Sequence, residues 1–114
     1  MPMLKIQTNT SVAEENRKAL ASLASTTVAE LLGKPERYVM VSIEENPCML
    51  FGGSDAPLAY LELKSIGLPD SQTSEFSDRL AKLLEEQLGL PADRVYIEFA
   101  DAARNMWGWN GGTF

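Results

Sequence analysis

The stretch from Leu31 to Val41 reads Leu-Leu-Gly-Lys-Pro-Glu-Arg-Tyr-Val-Met-Val, and residues 87–97 read Gln-Leu-Gly-Leu-Pro-Ala-Asp-Arg-Val-Tyr-Ile. The pattern Leu-Gly-x-Pro recurs after 56 residues, and the arginine that follows it recurs after 57. Two copies at half the chain length indicate a duplicated unit, because a solenoid needs three or more repeats. We therefore predict one domain over residues 1–114 with two related halves, about 1–57 and 58–114.

Each half has the pattern of a strand, a helix and a second strand. Alternating apolar and polar residues predict the first strands at Leu4–Ile6 and Leu61–Leu63. The second strands are predicted at Tyr38–Ile43 and Val95–Phe99. Apolar residues at helical spacing predict the inner face of each helix. They are Leu20, Leu23, Ala24, Val28, Leu31 and Leu32 in the first helix, and Phe76, Leu80, Leu83, Leu84 and Leu88 in the second.

Residues with strong positional preferences mark the ends of both helices. Ser11 and Glu14 have the spacing of a capping box, which predicts the start of the first helix. The second helix is expected to begin at Asp70 or Ser71. The Leu-Gly-x-Pro motif predicts both helix ends, because glycine suits the residue after a helix and proline cannot continue one.

The second strand of the first half suggests what covers the sheet. Residues 38–43 are apolar at nearly every position, which is typical of a strand buried on both faces. Two helices can cover only one face of a four-stranded sheet, so the other face is expected to contact further copies of the chain. We predict an α+β fold, a two-layer sandwich with both helices on one face of a mixed sheet, assembled as a homo-oligomer.

Composition excludes several classes of function. The formal charge is −6, whereas binding a polyanion requires a basic surface, so we expect no nucleic-acid partner. No run of eighteen apolar residues and no signal-peptide pattern is present, so we expect no membrane span and a cytoplasmic location. Histidine is absent and Cys48 is the only cysteine, so we expect no metal site and no histidine-based catalysis. We expect Cys48 to be a buried structural thiol.

The predicted topology brings three distant segments to one rim of the sheet. The two strands of a strand-helix-strand unit are parallel, so they start at the same rim. Pro2 precedes the first strand and Lys34 precedes the second. If the first strands of the two halves pair in antiparallel fashion, Ser65–Ile66 at the end of the third strand reaches that rim. The second half carries Leu90 in place of Lys34, which favours a functional role for the lysine.

Pro2 can supply a group that no internal residue offers. Initiator methionine is usually removed when the next residue is small, so we expect Pro2 to become the N-terminus and expose a secondary amine. In an apolar pocket such an amine is disfavoured as a cation, so its pKa falls. It can then act as a base near neutral pH.

Seven segments of the chain occur in an order and at a spacing that are specific only when taken together. They are Pro2-Met3, Thr8-Asn9, Gly33–Pro35, Phe51–Ser54, Ser65–Gly67, Asp93–Ile97, and Gly108–Asn110 with Thr113-Phe114. In these segments the chain resembles the macrophage migration inhibitory factor family of the tautomerase superfamily. The resemblance implies a homotrimer with active sites between subunits and no cofactor. It also implies keto–enol tautomerisation of arylpyruvates such as phenylpyruvate, with dopachrome tautomerisation as a companion activity.

The resemblance further implies roles for individual residues. The Pro2 amine is the base, and Lys34 binds the substrate carboxylate. Ile66 contributes through its backbone, and Tyr96 comes from the neighbouring subunit. The other candidates for substrate binding are Met3, Tyr38, Ser65, Glu98, Trp107, Trp109 and Phe114.

Three positions depart from the family pattern. Glu98 stands where many members carry asparagine, and a carboxylate there would repel an anionic substrate unless it were neutralised. Trp107 is bulkier than the usual aliphatic residue and is expected to narrow the pocket. Leu58–Leu61 replaces the Cys-x-x-Cys segment of the animal cytokines, so thiol oxidoreductase activity is not expected.

Two alternatives to a tautomerase stay open at this point. One is a cytokine-like ligand that binds a receptor, since the family can leave cells without a signal peptide. The other is a ferredoxin-like module that binds a small molecule, because that fold has the same order of strands and helices.

Overall fold

A computed structural model describes all residues, 1–114. The main sheet has four strands, β1 (Met3–Thr8), β2 (Met40–Glu45), β3 (Ala59–Ile66) and β4 (Val95–Ala102). Two helices connect them, α1 (Glu14–Leu32) and α2 (Thr73–Leu88). A two-stranded hairpin, β5 (Gly108–Trp109) and β6 (Gly112–Thr113), follows near the C-terminus. The predicted α+β class is confirmed.

The strands lie in the order β2-β1-β3-β4. Strand β1 pairs in parallel with β2, and β3 pairs in parallel with β4, while β1 and β3 are antiparallel at the centre. Each half is therefore a compact strand-helix-strand unit whose parallel strands are direct neighbours. In a ferredoxin-like fold another strand separates the parallel strands of each unit. That alternative is consequently wrong.

The core lies between the two helices and one face of the sheet. Every second residue of the two central strands points into it, including Leu4, Ile6, Leu61 and Leu63, and all four are fully buried. Burying one such side chain contributes about 1.5–3 kcal/mol to stability. The predicted inner face of α2 is confirmed. On α1, Leu23 is 39% exposed, so its predicted burial is wrong.

The start of α1 differs from the prediction. Ala13 is the N-cap and no side chain caps the helix, so the Ser11–Glu14 capping box does not form. The side chain of Val12 is buried instead, and its N–H donates a 3.1 Å hydrogen bond to Glu45 Oε1. A carboxylate at the end of β2 thus satisfies a backbone group just before the helix. The second helix is preceded by a short 3-10 turn at Asp70–Gln72, so it begins at Thr73, two or three residues later than predicted.

Both helices end as the Leu-Gly-x-Pro motif predicts. Gly33 has a φ of 62° and Gly89 a φ of 69°, in the left-handed region that only glycine adopts without strain. The N–H of each glycine donates to a carbonyl of the last helical turn, so the free helix end is satisfied. Each motif then leads into a parallel strand through a short 3-10 turn.

The second face of the sheet carries no helix. Polar side chains lie across it, and Lys5 Nζ is 3.7 Å from Glu44 and 4.0 Å from Glu62. Met40, at the start of β2, is 66% exposed within the chain. The predicted burial of Cys48 is wrong. Cys48 is exposed in a surface segment, where its backbone N–H donates to Asn46 Oδ1 at 3.0 Å.

Candidate active site

A cavity of about 300 Å³ opens at the rim where β1 and β2 begin. Eleven residues line it, and eight of them are hydrophobic. The N-terminal segment and the turn before β2 form one side, with Pro2 and Tyr38 among their residues. The C-terminal hairpin forms the other side through Trp107, Trp109 and Phe114. The fold thus brings the two ends of the chain to one mostly apolar cavity.

Pro2 is fully buried at this cavity. Its carbonyl accepts a 3.0 Å hydrogen bond from the N–H of Met40, which extends the pairing of β1 with β2 to the rim. The amine of Met1 donates to the carbonyl of Tyr38 at 3.2 Å. Burial, and secondly the charge of Lys34, hold the pKa of the Met1 amine below its ordinary value. The environment at this end of β1 therefore disfavours an ammonium ion.

Lys34 lies beside this amine and bridges the two halves of the chain. Its ammonium group donates a 2.9 Å hydrogen bond to the carbonyl oxygen of Ile66, at the end of β3. Its backbone N–H donates to Ala29 in the last turn of α1, which fixes the base of the side chain. Lys34 forms no salt bridge within the chain, so its charge is available to an anionic ligand.

Ser65 is fully buried and does not line the cavity. Its hydroxyl donates to the carbonyl of Ile66 at 3.3 Å. That carbonyl therefore accepts hydrogen bonds from both Ser65 and Lys34. Any influence of Ser65 on the site passes through Ile66, which in turn holds the lysine.

Three aromatic rings form one wall of the cavity. Tyr38 makes edge contacts with Trp109 at 5.7 Å and with Phe114 at 5.9 Å between ring centroids. Trp109 and Phe114 are stacked, with centroids 5.4 Å apart and an interplanar angle of 13°. The hairpin turn that positions them has Asn110 and Gly111 at positive φ, 53° and 78°, as a tight turn of this kind requires. Such a wall suits a flat aromatic ligand.

Tyr96 and Glu98 do not line this cavity. Both lie on β4, where Tyr96 pairs with Tyr60 near the opposite rim of the sheet. Tyr96 is 65% exposed and contacts Phe51 at 4.5 Å between ring centroids. A second apolar cavity of about 500 Å³ is bordered by Tyr96, Phe51 and Leu50. Within one chain, the site predicted from the sequence is therefore divided between two places.

Glu98 has a partner that the sequence did not reveal. The hydroxyl of Tyr60 donates a 2.7 Å hydrogen bond to the Glu98 carboxylate. This bond is the main cause that raises the pKa of Tyr60 to about 12, with burial and the charge of Glu62 adding to it. Alternation along neighbouring strands places both side chains on the open face, which is the signal that could have identified the pair.

Other residues at the cavity were missed by sequence reasoning. Arg37, Val39 and Met40 line it together with the predicted Met3. They follow directly after Lys34 and Pro35 in the turn that enters β2, so their closeness to Lys34 was the available signal. The guanidinium carbon of Arg37 lies 4.8 Å from the centre of the Tyr38 ring.

The chain has no group of three His, Cys, Asp or Glu side chains arranged to hold a metal ion. Neither helix combines the length and apolar character needed to cross a membrane. The ionisable groups that line the cavity are the terminal amine, Arg37 and Tyr38. Lys34 and Ile66 are not among the lining residues, and the charge of Lys34 acts on the terminal amine from beside the cavity. The site can therefore bind an anion next to an apolar group and accept a proton at an amine.

Comparisons with known proteins agree over the full length of the chain. Residues 1–114 match the family described as macrophage migration inhibitory factor (MIF). A relative named macrophage migration inhibitory factor homolog, from Brugia malayi, is 39% identical and the match covers 100% of this chain and 99% of the relative. Macrophage migration inhibitory factor of Mus musculus is 36% identical, with the same coverage. The crystal structure of a homologue from Prochlorococcus marinus has a TM-score of 0.92 and 43% identity, and 98% of each chain is covered.

Proposed function

Because the chain belongs to the macrophage migration inhibitory factor family, we propose that it is a cofactor-independent tautomerase acting on an aromatic 2-oxo acid such as phenylpyruvate. The family lies in the tautomerase superfamily, which supports an isomerase as the class of enzyme. Dopachrome tautomerisation is the companion activity. The observation that carries the proposal is a fully buried Pro2 at a largely apolar cavity beside Lys34.

The Pro2 amine is the base in this proposal, once Met1 has been removed. Burial and the charge of Lys34 lower the pKa of the Met1 amine, and we expect both causes to act on the neighbouring Pro2 amine. Pro2 is fully buried in the chain that includes Met1. A neutral amine with a lowered pKa is suited to take a proton near neutral pH.

Lys34 and the aromatic wall orient the substrate. The ammonium group of Lys34 binds the carboxylate, while Ile66 keeps the lysine at the rim through their 2.9 Å hydrogen bond. In the proposal the aryl ring lies against Tyr38, Trp109 and Phe114, and Trp107 and Met3 line the same cavity. The carbon next to the keto group is then expected to lie near Pro2.

The reaction needs only the movement of protons. The Pro2 amine removes a proton from the carbon next to the carbonyl, and the C–H electron pair becomes the carbon–carbon double bond. The carbonyl π electrons move to oxygen, which takes up a proton to give the enol. The reverse sequence returns the keto form. No oxidant, reductant or cofactor is consumed, because substrate and product are isomers.

The active form in this proposal is a homotrimer. The open face of the sheet, the exposed Leu50 and Tyr96, and the half-buried Phe51 supply surface for subunit contacts. Tyr96 and Glu98 then reach the Pro2 cavity of a neighbouring subunit, although they are remote from Pro2 in their own chain. The hydrogen bond from Tyr60 directs the Glu98 carboxylate toward its own sheet, which lessens its repulsion of an anionic substrate.

The proposal is tested by adding phenylpyruvate to purified protein whose N-terminus has been identified as Pro2 by mass analysis. We expect acceleration of the interconversion of the enol and keto forms without any added cofactor. A rate equal to that of buffer alone, from folded protein with a free Pro2, would overturn the proposal.

A further inference from the structure

Arg37 is a cation at the cavity that has no acceptor within the chain. It lines the same cavity as Pro2, and its guanidinium group lies over the Tyr38 ring at 4.8 Å. It forms no salt bridge, not even with its sequence neighbour Glu36. A guanidinium group carries five N–H donors, and at Arg37 none of them bonds to another group of the protein.

The duplicated architecture supplies a comparison within the same chain. Arg94 occupies the matching place in the second half, 57 residues later. Its guanidinium group donates to the backbone carbonyls of Phe51 at 2.9 Å, Ser54 at 3.1 Å and Ala56 at 2.8 Å. Arg94 therefore holds the loop before β3 in place. Arg37 has the same position in its own half but does not hold a loop.

The contacts of Arg37 prepare it for a ligand. Stacking on Tyr38 restricts the side chain, and Tyr38 is itself held by Trp109 and Phe114 through edge contacts. Arg37 is exposed, and its planar guanidinium matches a carboxylate with two parallel hydrogen bonds. Lys34, the other cation at this rim, is held by Ile66 at the end of β3. Arg37 therefore lines the cavity itself, whereas Lys34 lies beside the terminal amine and outside the lining.

We propose that Arg37 is a specificity-determining residue that binds a second anionic group, a carboxylate on the aryl ring of the substrate. This inference rests on the proposed function, since it gives Lys34 the carboxylate of the 2-oxo acid. The preferred substrates are then aryl 2-oxo acids with a carboxylate on the ring. Phenylpyruvate has no ring carboxylate for Arg37 to bind and is a weaker substrate.

Binding of two unreactive ligands tests this assignment without any turnover. Cinnamate carries one carboxylate, and para-carboxycinnamate has the same frame with a second carboxylate on the ring. Trp107 and Trp109 line the cavity, so quenching of tryptophan fluorescence reports binding. We expect the protein to bind para-carboxycinnamate roughly 3- to 10-fold more tightly than cinnamate, as a partly exposed charge-assisted pair would provide.

Variants at two arginines complete the experiment. Arg37→Gln should reduce the preference to about one, with more affinity lost for para-carboxycinnamate than for cinnamate, and Arg37→Lys should retain part of the preference. Arg79→Gln is the matched control, because Arg79 lies on α2, away from the cavity, and faces Glu30 at 3.9 Å. The preference of Arg79→Gln for para-carboxycinnamate over cinnamate should equal that of the unmodified protein. An unchanged preference in Arg37→Gln, or no binding of para-carboxycinnamate, would overturn the assignment.

Turnover separates this inference from the tautomerase proposal. Phenylpyruvate and para-carboxyphenylpyruvate are compared in the unmodified protein and in Arg37→Gln. If phenylpyruvate is converted but the ratio of kcat/KM between the two substrates is the same in both proteins, the Arg37 assignment fails and the tautomerase proposal stands. If neither compound is converted but the ligand preference depends on Arg37, the tautomerase proposal fails and the anion site stands.

Discussion

The ammonium group of Lys34 donates a 2.9 Å hydrogen bond to the carbonyl oxygen of Ile66, and this bond joins the two halves of the chain near the terminal amine. Lys34 follows the first helix and Ile66 ends β3, so the contact depends on the antiparallel pairing of β1 with β3. The bond holds the Lys34 ammonium group next to the terminal amine and leaves the positive charge of Lys34 in place. The same residue can thus bind an anion and lower the pKa of the amine.

Replacing Lys34 with methionine removes the charge but keeps a side chain of similar length. We expect kcat/KM for phenylpyruvate to fall by about 10- to 100-fold, since a hydrogen bond to a charged group contributes roughly 1.5–3 kcal/mol. Steady-state kinetics measure the loss, most of which should appear in KM. Lys82→Met is the matched control, because Lys82 pairs with Asp78 on α2. Equal kcat and KM values in Lys34→Met and Lys82→Met would show that Lys34 does not bind the substrate.

The dependence of kcat/KM on pH reports the base. Burial and Lys34 lower the pKa of the Met1 amine, and we expect both to act on the Pro2 amine, which must be neutral to accept a proton. Activity should therefore be lost as the pH falls through a midpoint below the ordinary value for an α-amine, about 7.7–8.0. In Lys34→Met the midpoint should rise, because a like charge has been removed. A midpoint that does not move in that variant would contradict the electrostatic part of the account.

Tyr60 and Glu98 form a pair that can be followed by titration. The pKa of Tyr60 is raised to about 12 from the ordinary value of 10.0, chiefly by its hydrogen bond to Glu98. The stabilisation from this pair is therefore present in full below pH 10.0 and is lost as the pH rises through about 12. Phenolate absorbance should show a component near 12 that is absent in Tyr60→Phe.

Glu98→Gln provides the control for that titration. It keeps a side chain of the same size but removes the charge and the strongest acceptor. The Tyr60 component should then move back toward its ordinary value. If it stays where it was in the unmodified protein, the 2.7 Å hydrogen bond is not the cause of the shift.

The proposed trimer makes a prediction about mass. Light scattering should give three times the mass of one chain. Leu50→Glu should reduce that mass, because Leu50 is 71% exposed in the single chain and would place a charge in an apolar subunit contact. Leu23→Glu, on the exposed side of α1, should leave the mass unchanged. A monomeric mass for the unmodified protein would contradict the assembly, and with it the contribution of Tyr96 to the site.

A structural feature could be predicted from the sequence where its physical cause lies within a few residues or in the strand topology. The Leu-Gly-x-Pro motif predicted both helix ends because the requirement for positive φ is local to Gly33 and Gly89. The meeting of Lys34 with Ile66 followed from the direction of parallel strands. Alternation and helical spacing likewise predicted most of the core, including the inner face of α2.

Predictions from the sequence were wrong where a distant residue determines the local structure. Ser11 does not cap α1, since Ala13 is the N-cap, and the N–H of Val12 before the helix donates to Glu45 of β2. Arg37 and Arg94 occupy matching places in the two halves, yet only Arg94 is adjacent to a loop whose carbonyls it can bind. Neither the motif nor its spacing distinguishes them. The two arginines differ in their contacts, which only the structure shows.

Several residues in the family-like segments hold the scaffold together. Asn9 donates from its amide nitrogen to the carbonyl of Asp55 and accepts from the N–H of Leu58, both at 2.9 Å. Thr8 is fully buried and donates to the carbonyl of Leu58 at 2.7 Å. These bonds fix the loop that leads into β3. A matching segment therefore identifies the family without identifying the active site.

The measurement that tests the role of Pro2 most directly compares two forms of the chain that differ only at the N-terminus. One form begins at Pro2, and the other carries a short extension that is not removed and converts the amine into an amide. Folding of both is checked by circular dichroism and light scattering. An amide cannot accept a proton, and loss of a general base costs about 10²- to 10⁴-fold in rate.

We predict that the extended form loses at least about 100-fold in kcat/KM for phenylpyruvate. Pro2→Gly, which keeps a free amine of different basicity, should lose only part of the activity. Full activity in the extended form would contradict the assignment of the Pro2 amine as the base.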